Sequence, residues 1–335
     1  MDESAWIFRG ESNAKWNLTH LAWRSHRLIH PQALRANGTT NHTWHASEAH
    51  TPADIFLAEL RTINAFYGHA SRGGAPVPED TSQTQEIIDQ WIKWLKPQKS
   101  PPEGNWLNGE FIWPPIELKS LFAIAQHHRT PTQLLDWSRN PFKAAFFCLE
   151  EFVRKDCSPK NHERRLAVWA LKMFEAKRAE NIREMVRGLG DSKRVFGSPT
   201  DPDYSDLRRP VGASRFRVIE VPTAPNANLR AQEGVFLAKR FINPDGKSPF
   251  KLHYGKPDLD WFDKAFEELR RLDEWRELPP VYKFTLPLTK APDLLTLLRH
   301  AGVSSATLYP GFEGAKWAYD EDLWLMKASG HTIRP

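Results

Sequence analysis

The sequence predicts an α+β fold, and three observations carry that prediction. Apolar runs with strand-forming residues recur in every third of the 335 residues. Helices with apolar periodicity and recognisable caps lie between those runs, and no segment repeats. At 40% hydrophobic and 12% aromatic residues, the chain has ample material for a sizeable core.

Trp6-Ile7-Phe8 forms the first strand and hands over at once to Arg9 and Gly10, where a relaxed backbone lets a ligand come close. Residues 16–50 are rich in His and Trp with little period. Thr51-Pro52 opens a helix through a hydroxyl cap and a proline at its first position, followed by Ile55, Phe56, Ala58, Leu60, Ile63 and Phe66 at helical spacing. A Gly/Pro-rich break over 71–80 precedes a second helix at 86–95, and 96–115 is a proline-dense, irregular insertion. A helix over 116–128 leads through Pro131 into a short strand that ends on Leu134-Leu135-Asp136-Trp137. Ser138-Arg139-Asn140-Pro141 caps an apolar helix, 142–152, read as a core element that clamps that strand, with Cys148 an inert buried thiol. Strands are predicted at 166–171, 216–221, 234–241, 281–286 and 306–309, helices at 174–187, 258–276 and 291–300, and a polar loop at 188–211.

The formal charge of +5 permits a nucleic-acid or dinucleotide partner without demanding one, and the 14 tryptophans supply flat surfaces for packing or stacking. Cys148 and Cys157 lack metal-binding spacing and predict a reducing compartment without a disulfide framework. The first residues show no signal-peptide pattern and no run of 18 apolar residues occurs, so a cytoplasmic protein without membrane association is expected.

Three stretches could carry chemistry. In 126–137, polar groups bracket Leu134-Leu135 and Asp136 falls where a strand hands over to a helix, a corner whose N–H groups attract phosphate; the alternative is that Asp136 and Ser138 only cap the helix. His127 and His128 are neighbours on a helix, so they make a poor metal pair. In 228–236, Gln232 and Glu233 stand just before Gly234, where a carboxylate could engage a ribose hydroxyl or an oxocarbenium-like centre, or be an ordinary surface acid. In 309–315, Glu313 lies between two glycines at the end of the last predicted strand, or in a plain turn.

Taken together, these residues resemble the FRG domain family. The similarity runs through Phe8-Arg9-Gly10, then Trp16, Leu18 and Arg24, then Gln126-His127-His128 with Pro131 to Trp137, then Asn140 to Phe147. It continues through Arg230, Gln232, Gly234 and Phe236 to Tyr309–Gly314; Arg129 stands where the family often has Gly, and Gly311 where it often has Asp. The order of motifs is also similar to that of cholera-type ADP-ribosyltransferases: an early strand ending in an arginine, a Ser/Thr-bearing strand leading into a helix, and a late acid before an apolar strand.

Those resemblances imply one FRG-type domain over 1–335 with an ADP-ribosyltransferase-like split β-sheet core from 1–30, 116–175, 212–240 and 280–325, and helical insertions at about 31–115, 176–211 and 242–280. They imply NAD as substrate and no metal. Arg9, Asp136, Glu233 and Gln232 would be catalytic, with Glu313 as an additional acid. Arg9, Gly10, His127, His128, Thr130, Thr132, Trp137, Ser138 and Arg230 would bind the NAD. The acceptor would be a nucleic acid or a protein, and the biological role that of a toxin or phage-defence effector with an antitoxin or other neutralising partner. Two alternatives stand beside it: a metal-independent ribonuclease using His127 or His128, or a nucleotide- or partner-binding module without chemistry.

Overall fold

A computed structural model describes residues 6–24, 28–29, 43–44, 49, 52–77, 80–81, 83–95, 106–107, 110–111, 113–159, 163–172, 216–222, 226–239, 241–242, 261–271 and 281–329. In chain order these form β1 (Trp6–Glu11), α1 (Leu21–Arg24), β2 (Leu28–Ile29), β3 (Thr43–Trp44), α2 (Pro52–Arg72), α3 (Thr84–Leu95), β4 (Trp106–Leu107), β5 (Glu110–Phe111) and α4 (Lys119–His127). Then come β6 (Leu135–Ser138), α5 (Pro141–Arg154), β7 (Arg165–Lys172), β8 (Phe216–Ile219), α6 (Ala227–Ala231), β9 (Gly234–Lys239) and β10 (Phe241–Ile242). The chain closes with α7 (Trp261–Arg271), β11 (Val281–Pro287), α8 (Ala291–His300), α9 (Ser305–Leu308) and α10 (Phe312–Ala328). The architecture is mixed α+β, built on one six-stranded antiparallel sheet in the order β11-β7-β1-β6-β9-β8.

That sheet falls into two leaves. β1 pairs with β7 all the way from Trp6↔Lys172 to Glu11↔Ala167, and β6 pairs with β9 from Leu135↔Leu237 to Ser138↔Gly234. Between the leaves, β1 and β6 share a single pair, Phe8↔Ser138. Beyond that pair the leaves part, and Arg9, Gly10 and Glu11 face a gap rather than a ladder.

Alternation along the strands gives each face its own core. Ile7, Leu135, Trp137, Trp169, Leu171, Val235, Leu237 and Val281 pack on Phe262, Ala265 and Phe266 of α7. On the other face, Phe236, Ala238 and Ile219 join α2, α3 and α4 around Leu60, Ile88, Trp91 and Phe122. Leu166 joins α5, α8 and α10 around Phe146, Leu149, Leu295 and Trp324. The floor between these last two cores, over β1, β6 and β9, is left open as a cleft.

Helix α5 starts where Asn140 accepts from the N–H groups of Phe142 (3.0 Å) and Lys143 (3.3 Å), with Pro141 at the first turn. Asn140 is therefore the cap; Ser138 Oγ instead donates to Gln232 O at 2.7 Å. The expected core helix is buried on one side only. Ala144, Phe146, Cys148, Leu149 and Phe152 are buried, Phe142 is 53% exposed, and Phe147, Glu150 and Arg154 line the cleft at helical spacing. Cys148 does sit in the core, where burial pushes its thiol up to about 12. Gly10 explains how closely α5 lies on β1: a Cβ there would stand 2.0 Å from Ala144 O and 2.7 Å from Cys148 N.

The carboxyl-terminal region corrects the reading of a last strand at 306–309. Residues 306–308 belong to helix α9, which Tyr309 ends and Ser304 begins; the Ser304 N–H donates to Thr307 Oγ1 at 3.0 Å and its carbonyl accepts from Leu308 N. A capping signal outweighed the strand propensity of a four-residue run. The 17-residue α10 that follows was not foreseen. The polar loop read at 228–233 likewise contains a helix, α6, capped by Asn226. The helix expected at 174–187, the loop at 188–211 and the Thr51 cap lie outside the described residues.

Candidate functional site

A cleft of about 520 Å³ opens over the gap between the leaves. Of the residues singled out in the sequence, it gathers Arg9, Gly10, His127, His128, Asp136, Trp137, Ser138, Gln232 and Glu313. Glu233, Thr130, Thr132 and Arg230 are not on its lining. It also gathers residues that sequence reasoning had not assigned a role: Gln126, Phe147, Glu150, Arg154, Tyr309 and Trp317.

Arg9 bridges the gap. Its Nε and Nη2 reach Glu11 Oε1 at 2.8 and 2.7 Å, and its Nη1 donates to the carbonyl of Asp136 at 2.7 Å, with Asp136 Oδ2 3.9 Å away. Three of the five guanidinium N–H groups are thereby used within the protein. The forked edge of Arg9 faces Glu11, and a ligand meets what remains of the tip. This guanidinium stands where ladder bonds between β1 and β6 would otherwise continue.

Asp136 sits on the cleft floor. Its side chain is 54% accessible to water, yet protein surrounds it closely enough that burial raises its carboxyl pKa. Arg9, a hydrogen bond from Gln126 and the more distant charge of Arg24 oppose that rise. Gln126 Nε2 donates to Asp136 Oδ2 at 3.0 Å, while the buried Thr132 hydroxyl donates to Gln126 Oε1 at 2.6 Å and so orients the amide. Thr132 thus acts from behind Gln126, one contact off the cleft lining.

The loop that carries Thr132 is pinned from α2. Glu59 is fully buried and accepts from Gln133 N (2.5 Å), Gln133 Nε2 (2.7 Å) and Trp113 Nε1 (2.7 Å). Burial nevertheless pushes its carboxyl up to about 7, against those three donors. No sequence signal marked Glu59, because its partners lie 54 and 74 residues away.

Glu233 turns away from the cleft. Its backbone is in the left-handed region at φ 50, and its carboxylate takes Lys143 Nζ at 2.7 Å and Asn140 Nδ2 at 3.2 Å. Partial burial raises its pKa, but the bonds from Lys143 and Asn140 and the charges of Lys143 and Arg139 outweigh it and leave the carboxyl below its ordinary value. Gln232 stays in the cleft, where its Nε2 donates to Leu308 O at 3.3 Å. Thr130 donates its N–H to Ala125 O, and Arg230 is exposed beyond the rim.

The outer wall is aromatic. Tyr309 and Trp317 meet edge to face with centroids 4.8 Å apart, and the Arg154 guanidinium lies 3.5 Å from the Trp317 centroid. Tyr309 donates its hydroxyl to Glu150, which also pairs with Arg154 at 2.5 Å. His127 lies 6.4 Å from Tyr309, and burial with the neighbouring His128 lowers its pKa to about 4. It is therefore a neutral ring at physiological pH. Arg129 holds φ 60, a conformation that favours glycine. Among the described residues, no three His, Cys, Asp or Glu side chains gather to hold a metal ion, and no helix is long and apolar enough to cross a membrane.

Residues 4–157 match the family model of the FRG domain. No curated protein and no solved structure matches the chain. The matched segment runs from β1 to just past α5 and so contains Arg9, Gly10, Gln126, Asp136 and Ser138, while Gln232 and the aromatic wall come from beyond it. Segment 4–157 of the chain is therefore similar to the FRG domain.

Proposed function

We propose that the cleft binds NAD and transfers its ADP-ribosyl group to a macromolecular acceptor. The observation that carries this reading is convergence: three strands adjacent in the sheet, β1, β6 and β9, bring Arg9, Asp136 with Ser138, and Gln232 to one open cleft beside aromatic rings. Transfer of this kind breaks the C1′–N bond of the nicotinamide riboside and develops positive charge on the ribose. The protein's task is then to position the reactants and stabilise charge. In this reading Asp136, held by Gln126, faces the developing cation, and Gln232 Oε1 accepts from a ribose hydroxyl. The remaining N–H groups of Arg9 take a phosphate oxygen. Glu233 drops out as the catalytic acid, because its carboxylate is bound to Lys143.

A ribonuclease built on His127 is less well supported. A ring held near pKa 4 is too weak a base to take a proton from a ribose hydroxyl efficiently near neutral pH. The test is to incubate the chain with labelled NAD plus RNA, DNA or lysate protein, and to follow nicotinamide release and label transfer. Release that needs an acceptor and disappears in Asp136→Asn supports the reading. No release with any acceptor sinks it, and RNA cleavage without NAD selects the nuclease. Growth arrest on expression of the wild type but not of Asp136→Asn would support the effector role.

A further inference from the structure

We infer that the outer end of the cleft, between Trp317, Tyr309 and Arg129, is a subsite for a nucleotide, its base stacked on Trp317 and its phosphate facing Arg129. The inference deepens the NAD reading and rests on it only for the identity of the ligand.

The wall is organised before any ligand arrives. Tyr309 is tied by its hydroxyl to Glu150, and Glu150 also holds Arg154, so neither ring nor guanidinium has to be immobilised on binding. Arg154 covers one face of the Trp317 indole, and Tyr309 meets that ring by its edge. Among the described residues, no other ring or cation lies against Trp317. The remaining face is a half-buried, flat apolar surface beside polar groups. A purely aliphatic ligand would leave those polar groups unpaired, and a cationic one would meet Arg154 and Arg129. A flat heteroaromatic ring satisfies both conditions, and stacking of a base on such a surface contributes about 1–3 kcal/mol. His127 lines the same end and offers one donor and one acceptor to the edge of a base, because its low pKa keeps the ring neutral.

Phosphate recognition comes from the turn that follows α4. Arg129 is 68% exposed on the cleft lining, and its nearest acid is Glu150 at 4.0 Å, a contact too long to occupy its donors. Glu150 is already engaged by Tyr309 and Arg154. The guanidinium therefore stands beside the aromatic wall with donors available to an anion. A base site next to a phosphate site specifies a nucleotide. Two sources fit that chemistry, the adenylate half of the donor dinucleotide and a nucleotide of a nucleic-acid acceptor.

The test compares AMP with ribose 5-phosphate by calorimetry on the full chain. AMP should bind at least tenfold more tightly, because only it carries the base. Trp317→Ala should weaken AMP at least tenfold, Trp317→Phe should retain most of the affinity, and Arg129→Ala should weaken both ligands while keeping their ratio, with folding checked by thermal melting. Equal binding of the two ligands, or unchanged AMP affinity in a folded Trp317→Ala, overturns the proposal. Displacement of AMP by NAD assigns the donor's base, and displacement by a single-stranded oligonucleotide but not by NAD assigns the acceptor's. AMP binding without NAD turnover under any condition would sink the transfer reading and leave the subsite standing. Turnover with AMP binding indifferent to Trp317 would do the reverse.

Discussion

Asp136 and Glu233 lie on neighbouring chain segments at one end of the same strand pair, and their fates differ. Asp136 is wired inward: Gln126 holds it, Thr132 orients Gln126, and Glu59 pins the loop through Gln133. Glu233 is wired outward, to Lys143 and Asn140 at the start of α5. Burial raises the pKa of the first, while cationic partners hold that of the second down. A carboxylate backed by the core keeps its geometry while presenting oxygen to a cleft. A carboxylate bound to a lysine at the surface joins two elements and has little left to offer a ligand.

The sharpest way to break this contrast is to neutralise each acid in turn. Asp136→Asn should lower nicotinamide release by roughly 10²–10³-fold, the usual loss for a group that stabilises developing charge. Glu233→Gln should change it less than about threefold, with a modest loss of stability. Equal effects in a steady-state assay would erase the distinction.

Glycines beside the two acids sharpen it further. At Gly10 an added Cβ meets backbone, Ala144 O at 2.0 Å, whereas at Gly234 it meets the Leu229 side-chain tip at 2.2 Å. Gly10→Ala should therefore cost about 3 kcal/mol or more and Gly234→Ala about 1 kcal/mol, because a leucine tip can move and a helix backbone cannot do so cheaply. Urea denaturation of both variants decides the matter.

Glu59 adds a pH signature to the inward wiring. Its carboxyl is raised from 4.5 unfolded to about 7 folded, so between those values the native state binds a proton that the unfolded state has lost. Its contribution to stability is complete below pH 4.5 and is lost as pH rises to about 7, on the order of 3 kcal/mol across that window. Urea midpoints at pH 5 and pH 7.5 should converge in Glu59→Gln relative to the wild type. An unchanged difference would show that another group sets the slope.

The smallest effect belongs to Gln126. Gln126→Leu removes a donor to the ionised Asp136, so the acid limb of the pH–activity profile should move to higher pH. Activity on that limb should fall about fivefold, the loss of one hydrogen bond of about 1 kcal/mol, with little change at alkaline pH. A uniform loss at every pH would make Gln126 a packing residue.

What the sequence made legible was local. Proline at the first turn and apolar spacing located α2 and α5, and strand-forming runs located β1, β7 and β11. Arg9, Asp136 and Gln232 were readable because each stands at a strand or helix end beside a glycine or a cap. Glu233 misled because one residue in the left-handed region swings its side chain to the other side of the corner, and nothing in Gln232-Glu233-Gly234 says which of the pair does so. The aromatic wall escaped notice because Trp317 lies on α10, whose weakly amphipathic sequence gave no clear period. Gly10 and Gly314 were credited to turns or ligands. Both are contact points between elements, Gly314 lying where a Cβ would come within 1.9 Å of Tyr309 O.

An open sheet ordinarily has two edges. The single pair Phe8↔Ser138 gives this one a third, inside the sheet, where β1 and β6 diverge and carry backbone groups that no strand matches. Unmatched edges invite foreign strands, and proteins guard them with charge. Arg9 is such a guard: by bonding the Asp136 carbonyl it occupies the place an intruding strand would need, and the interior edge stays open to small, polar molecules.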